Sequence, residues 1–148
     1  MEQNTYEVML RLADSESRRR FVSPAPKGQF GDYIEHAVIN QLALAMVGPH
    51  SFRVTEIVRE TSGQVSGVLA ELTARIGEQD VTIVEAGDVD FPDRENAGKA
   101  VKLAASDAYK RCWMRLGLGL ELWAQENWSL PKMLTHYHTQ VEGQGSLL

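Results

Sequence analysis

The sequence predicts an α+β fold, in which one helix precedes a three-stranded antiparallel meander and a long helix packs on the sheet. Three observations support this prediction. Residues 33–47 place apolar side chains at helical spacing, three β-branched runs follow between short turn signals, and residues 94–123 again have the pattern of a helix. A chain of 148 residues is expected to form a single domain with a sizeable core.

The first predicted helix is bounded on both sides by residues that interrupt regular structure. Residues 21–32 hold two prolines and two glycines, which indicate an extended loop. The helix over residues 33–47 then ends where Gly48 and Pro49 follow, because a glycine and then a proline commonly terminate a helix.

The meander is predicted from residues 51–60, 68–77 and 80–88, which are separated by short turn signals. In the second run, apolar and polar residues alternate, as expected for a strand with one buried face. The apolar positions are Ala70, Leu72, Ala74 and Ile76, and the polar positions are Glu71, Thr73 and Arg75.

The long helix is predicted to begin after Asp93, which is a suitable N-cap, and to stop at the pair Gly117 and Gly119. One side of it is rich in small and apolar residues, which allow close packing on a sheet. These residues are Val101, Ala104, Ala105, Ala108, Tyr109, Cys112 and Leu116. After Trp123, the pattern is compatible with a short helix or an extended tail.

Positive charge is concentrated on this helix although the chain as a whole has a net charge of -5. From Arg94 to Arg115, six residues are basic and two are acidic, so this segment carries +4 and the remainder -9. A stripe within an arc of roughly 80° contains Lys99, Lys102, Ser106, Lys110 and Trp113. Such a stripe suits phosphates, and Trp113 is the tryptophan that we expect near nucleic acid, although an ordinary solvated face has the same spacing.

Several other classes of function find little support in the sequence. The single Cys112 excludes an internal disulfide, and no run approaches the ~18 apolar residues of a membrane span. We expect a cytoplasmic protein without a secretion signal, and no phosphate-binding loop for ATP is present. The four histidines lack a zinc pattern, so neither a metal nor a cofactor is expected.

The long helix resembles the Rad52 family of single-strand annealing proteins, which includes phage recombinases. The residues that carry the resemblance are Lys102, Ser106, Asp107, Ala108, Lys110, Arg111, Gly117, Gly119 and Leu120, together with Tyr33, Ile34 and Glu35 before the first helix. The resemblance divides the chain into an N-terminal segment (1–24), an annealing core (25–123) and a C-terminal tail (124–148).

The resemblance implies a non-enzymatic protein that binds single-stranded DNA and anneals complementary strands without ATP, as an oligomeric ring or filament. The DNA-binding residues that it implies are Lys110 and Arg111 at the centre, with Lys102, Lys99, Arg115 and Lys27 as further candidates. The run Arg18 to Arg20 is an alternative to Lys27. Met114 stands where the family has a third cation. The resemblance is also compatible with a partner exonuclease and with a phage or bacterial origin. For a phage protein, the expected location is the cytoplasm of the bacterial host.

Two other functions remain open from the sequence. The first is a noncatalytic phage interaction or regulatory module whose basic helix docks an acidic protein partner. The second is a nuclease that uses Asp88, Asp90 and Asp93, although these residues lack the spacing of a known cation-binding loop.

Overall fold

The computed structural model describes residues 3–25, 31–90 and 96–145. The elements are α1 (Thr5–Leu12), α2 (His36–Met46), β1 (Ser51–Arg59), β2 (Val65–Ile76), β3 (Gln79–Asp88), α3 (Ala97–Met114), α4 (Glu121–Ala124) and α5 (Leu130–Gly145). The predicted α+β class is confirmed, because the three strands form an antiparallel sheet in the order β1-β2-β3 and a helix packs on it.

The central strand β2 has the alternation that its sequence predicts. Ala70, Leu72, Ala74 and Ile76 are buried, whereas the side chains between them point to the polar face of the sheet. Leu72 lies opposite Phe52 on one side and Ile83 on the other, so the register lines up apolar residues across all three strands. The strand begins at Val65, three residues earlier than predicted.

The long helix α3 lies unusually close to the sheet because small residues meet at the contact. Ala104 and Ala108 of α3 are fully buried, and Gly87 of β3 lies directly beneath them. A Cβ atom at Gly87 would overlap the carbonyl oxygen of Ala104 and the amide nitrogen of Ala108. The small-residue side of the helix therefore fixes the distance between helix and sheet, as its composition predicts.

The long helix is shorter than the predicted residues 94–123, although it ends just before the glycine pair, as predicted. Asn96 and not Asp93 caps α3, because its side-chain oxygen accepts a hydrogen bond from the backbone N–H of Lys99 at 2.9 Å. Asp93 lies outside the described residues. The helix ends at Met114, and Gly117 and Gly119 then adopt positive φ angles of 102° and 86° that turn the chain into the short helix α4.

Trp113 is fully buried, so the expectation that it lies near nucleic acid is wrong. Its indole packs edge-on against the ring of His50, with ring centroids 5.0 Å apart. Trp113 sits at the border between the lysine stripe and the apolar side of α3, and burial of its large ring decides which side it joins.

Helices α1 and α5 pack against each other beside this core. Val8 and Leu12 of α1 are buried in it, and the ring of Tyr6 stacks on that of His138 in α5, with centroids 3.7 Å apart. The C-terminal region forms a helix of 16 residues, where the sequence left a choice between a short helix and an extended tail.

A buried ion pair connects the N-terminal segment to the turn that follows α3. The side chain of Arg18 is 1% exposed, and its guanidinium donates two hydrogen bonds of 2.7 Å to the carboxylate of Glu121. It also donates to the backbone carbonyls of Asp14 and Gly117, at 3.0 and 3.2 Å. Arg18 is thus committed to the interior and is unavailable as a surface cation.

Replacing Arg18 by alanine is expected to destabilise the fold by about 3–5 kcal/mol, because Glu121 would keep its charge in a buried place without a partner. The matched control is Arg19→Ala. Arg19 pairs with Glu16 at the surface, both side chains being about three-quarters exposed, and its loss should cost at most about 1 kcal/mol. Urea unfolding of both variants measures this difference, and equal losses would contradict the structural role of Arg18.

Candidate nucleic-acid interface

A cavity of about 560 Å³ opens beside the C-terminal half of α3. Three segments enclose it: residues 31–34 before α2, the face of α3 that carries Lys110, Arg111 and Met114, and the turn from Leu118 to Gln125. The structure thus brings two of the six predicted DNA-binding residues, Lys110 and Arg111, together at one cavity.

Lys110 carries a partly desolvated charge. Its ammonium nitrogen lies 5.6 Å from the centroid of the Tyr33 ring. Burial lowers the pKa of Lys110 from its ordinary value, whereas the carboxylates of Asp107 and Glu35 oppose this effect. An ammonium group that has lost part of its hydration gains more from a bound anion than a fully exposed one does.

Arg111 is held in place on two sides. Its Nε donates a hydrogen bond of 3.1 Å to Asp107, and its guanidinium lies 5.3 Å from the centroid of the Trp123 ring. Asp107 also accepts a hydrogen bond from the backbone N–H of Asp88 at 3.1 Å. Within the described ranges, the terminal nitrogens of Arg111 make no hydrogen bond, so they can still donate to a bound group.

The other predicted cations lie away from this cavity. Lys99 and Lys102 are exposed on the first half of α3, about 16 and 12 Å along the helix axis from Lys110 at 1.5 Å per residue. Arg115 is directed toward β3, where it donates to the carbonyl of Val84 at 3.1 Å and lies 3.8 Å from the carboxylate of Glu85. Lys27 lies outside the described residues.

Three residues of the cavity were missed by the analysis of the sequence. Trp123, with 61% of its surface exposed, is brought to the cavity by the turn after α3, which a continuous helix would not contain. Tyr33 was noted only as part of a motif. Gln125 has a positive φ of 51°, which nothing in its sequence neighbourhood indicates.

A network of polar side chains lies next to Lys110. The Nδ1 atom of His36 is 2.9 Å from the hydroxyl of Ser106, so this serine of the lysine stripe has a partner on α2. The hydroxyl of Tyr109 donates to the side-chain oxygen of Asn40 at 2.7 Å and lies 2.8 Å from Nε2 of His50. These bonds fix α3 against α2 and the start of β1.

In the described parts of the chain, no group of three or more histidine, cysteine, aspartate or glutamate side chains is placed to hold a metal ion. Asp88 and Asp90 are described, but Asp93, the third carboxylate of the nuclease alternative, is not. No described helix is both long and apolar enough to cross a bilayer.

The stability of the protein should fall as the pH drops below 6.5, in part because of His36. Partial burial and the charge of Lys110 lower the pKa of His36 from 6.5. The unfolded chain therefore takes up the proton first, and the stability that neutral His36 contributes is present above pH 6.5 and lost below it. Thermal unfolding between about pH 5 and pH 8 measures this, and His36→Gln should reduce the slope. An unchanged slope in that variant would contradict the proposed environment of His36.

Comparison with known proteins identifies the family of the chain. Residues 13–140 match the model of the Rad52/22 family of double-strand break repair proteins. A search of curated proteins found no match. The match confirms the resemblance seen on α3 and assigns the chain a role in DNA repair and recombination. The chain therefore belongs to the Rad52/22 family of double-strand break repair proteins.

Proposed function

We propose that this protein binds single-stranded DNA through Lys110 and Arg111 and anneals complementary strands without hydrolysing ATP. The observation that carries the proposal is that these two adjacent cations line the same cavity. The family membership supports the same reading, because annealing is one way to act in double-strand break repair.

The two cations suit two different parts of phosphate recognition. Arg111 can donate two parallel hydrogen bonds to phosphate oxygens from a fixed orientation, because Asp107 and Trp123 already hold its guanidinium. Lys110 acts as a point charge. Phosphate contacts do not depend on base sequence, and an annealing protein must bind strands of any sequence. These contacts also make the affinity depend on the salt concentration.

The exposed lysines of α3 extend this site in one direction. Lys102 and Lys99 follow Lys110 toward the N-terminus of the helix and can meet phosphates further along the same strand. The remainder of the chain is acidic and repels DNA from other surfaces, so the strand is confined to the basic side of α3.

Oligomerisation is part of the proposal because a single pair of cations gives weak binding. Copies arranged in a ring or filament align many such sites along one strand, and their contributions multiply through effective concentration. The edge strand β1 supports this, since Val54, Ile57 and Val58 are each 37–42% exposed on it. An apolar edge of this kind suits contact with a neighbouring copy. Annealing also needs single-stranded DNA as substrate. An exonuclease produces such strands, so a partner of this class is part of the proposal.

The double variant Lys110→Ala/Arg111→Ala should lose single-strand affinity on the order of 100-fold at low salt, because two charge-assisted contacts are removed. The slope of log affinity against log salt should fall by about 1.4 units, and annealing should slow accordingly. Lys132→Ala/Arg19→Ala is the matched control, because it removes the same charge from exposed positions outside the cavity. Equal losses in both variants would contradict the site, as would unchanged binding in the first.

The variant Met114→Lys should bind single strands more tightly than the wild type. Met114 lines the cavity beside Lys110 and Arg111, so a lysine there adds a third cation within reach of the same strand. One further phosphate contact should steepen the salt slope by about 0.7 units. Met114→Leu keeps the side chain apolar and serves as the control. A lysine variant with the slope of the control would show that the strand does not pass Met114.

A further inference from the structure

We propose that the cavity beside Lys110 and Arg111 receives one unstacked base of the bound strand, which stacks against the indole of Trp123. The inference rests on the proposed function, since the phosphates next to that base are those held by the two cations. It adds a base-binding subsite to a site that otherwise contacts only phosphate.

The size and lining of the cavity fit a nucleobase. Its volume of about 560 Å³ lies within the range of small-ligand pockets. Ile34, Ile39 and Leu118 form an apolar floor and are 1–4% exposed, so it is rigidly supported by the core. A flat, aromatic base has the shape and polarity that such a floor and a narrow polar rim accept.

Trp123 is placed to stack. More than half of its surface is exposed although it is the largest apolar side chain of the cavity. The guanidinium of Arg111 lies over one face of the ring, 5.3 Å from its centroid, so a base would stack on the other face, close to the same cation that binds its phosphate. Stacking on an aromatic ring tolerates any base, which agrees with binding that is independent of sequence.

The rim of the cavity offers polar groups to the edge of a base. Gln125 has φ 51° and ψ -121°, a conformation that glycine adopts more easily than glutamine. Strained residues of this kind concentrate at functional sites. Its amide supplies both a donor and an acceptor, and Asp32 on the same rim supplies an acceptor for an amino group.

The charges at the mouth favour a nucleotide over an apolar peptide. Lys110 and Arg111 line the cavity, and the carboxylate of Asp107 is already engaged by Arg111 and by the backbone of β3. An occupant with a flat apolar part and an adjacent anion can pack on the apolar floor and pair with the two cations at the same time. A nucleotide of a single strand has this combination.

The subsite would select single strands over duplex, because a base in a duplex is already stacked and paired. In each subunit one base would be withheld in the cavity, while its neighbours remain exposed for pairing with a complementary strand. The withheld base leaves the cavity when it pairs, so the duplex product is held less tightly than the single strand.

The test measures the affinity of each variant for oligodeoxythymidylate and for an abasic deoxyribose-phosphate oligomer of equal length. The wild type should prefer the thymidylate by about 5- to 150-fold. Trp123→Ala should lose most of this preference. Its affinity for the abasic oligomer should fall by a smaller factor than its affinity for the thymidylate, because Asp107 still holds the Arg111 guanidinium when the indole is gone. Trp123→Phe should retain part of it. Tyr137→Ala is the matched control, because Tyr137 is equally exposed but lies on α5 outside the cavity.

The outcomes separate this inference from the proposed function. Lys110→Ala/Arg111→Ala should weaken binding of both oligomers equally and preserve the preference for bases. An unchanged preference in Trp123→Ala would overturn the inference and leave the phosphate site standing. Equal loss for both oligomers in Trp123→Ala would also overturn it, as would a change in particle mass, which would place Trp123 between subunits. Failure of the wild type to bind either oligomer at low salt would overturn the proposed function and the inference together.

Discussion

The buried ion pair between Arg18 and Glu121 is the interaction on which the geometry of the cavity depends. The guanidinium of Arg18 holds the turn after α3 in place by donating to the carboxylate of Glu121 and to the carbonyl of Gly117. That turn carries Trp123 and Gln125 to the side of α3 where Lys110 and Arg111 lie. Two buried charges are costly to desolvate, so the pair stabilises chiefly this one arrangement of the turn and disfavours others.

A second constraint concerns the charge of the cavity. Lys110 and Arg111 sit in an acidic protein and are partly buried, so their electrostatic interactions are less screened than those of exposed lysines. Asp107 both orients Arg111 and opposes the loss of charge on Lys110. The chain therefore presents a local patch of positive charge although its net charge is negative.

The sequence predicts the sheet and the packing side of α3 well because both follow from simple periodicity. The alternation in β2 and the small residues at Ala104 and Ala108 determine what is buried regardless of distant contacts. The cavity was less predictable. Its walls depend on positive φ angles at Gly117 and Gly119 and on a partner for Arg18 that lies 103 residues away. Trp113 shows the same limit of prediction from periodicity. A helical wheel places it on the lysine stripe, but in the structure it is buried in the core.

The central claim is that a single strand of DNA passes the mouth of the cavity with its phosphates at Lys110 and Arg111. A structure of the protein determined with bound oligodeoxythymidylate tests it most directly. The account predicts phosphate oxygens within hydrogen-bonding distance of the Lys110 ammonium and the Arg111 guanidinium, on the side of α3 that faces Trp123. A strand bound on the outer face of the sheet or along α5, with this cavity empty, would contradict it.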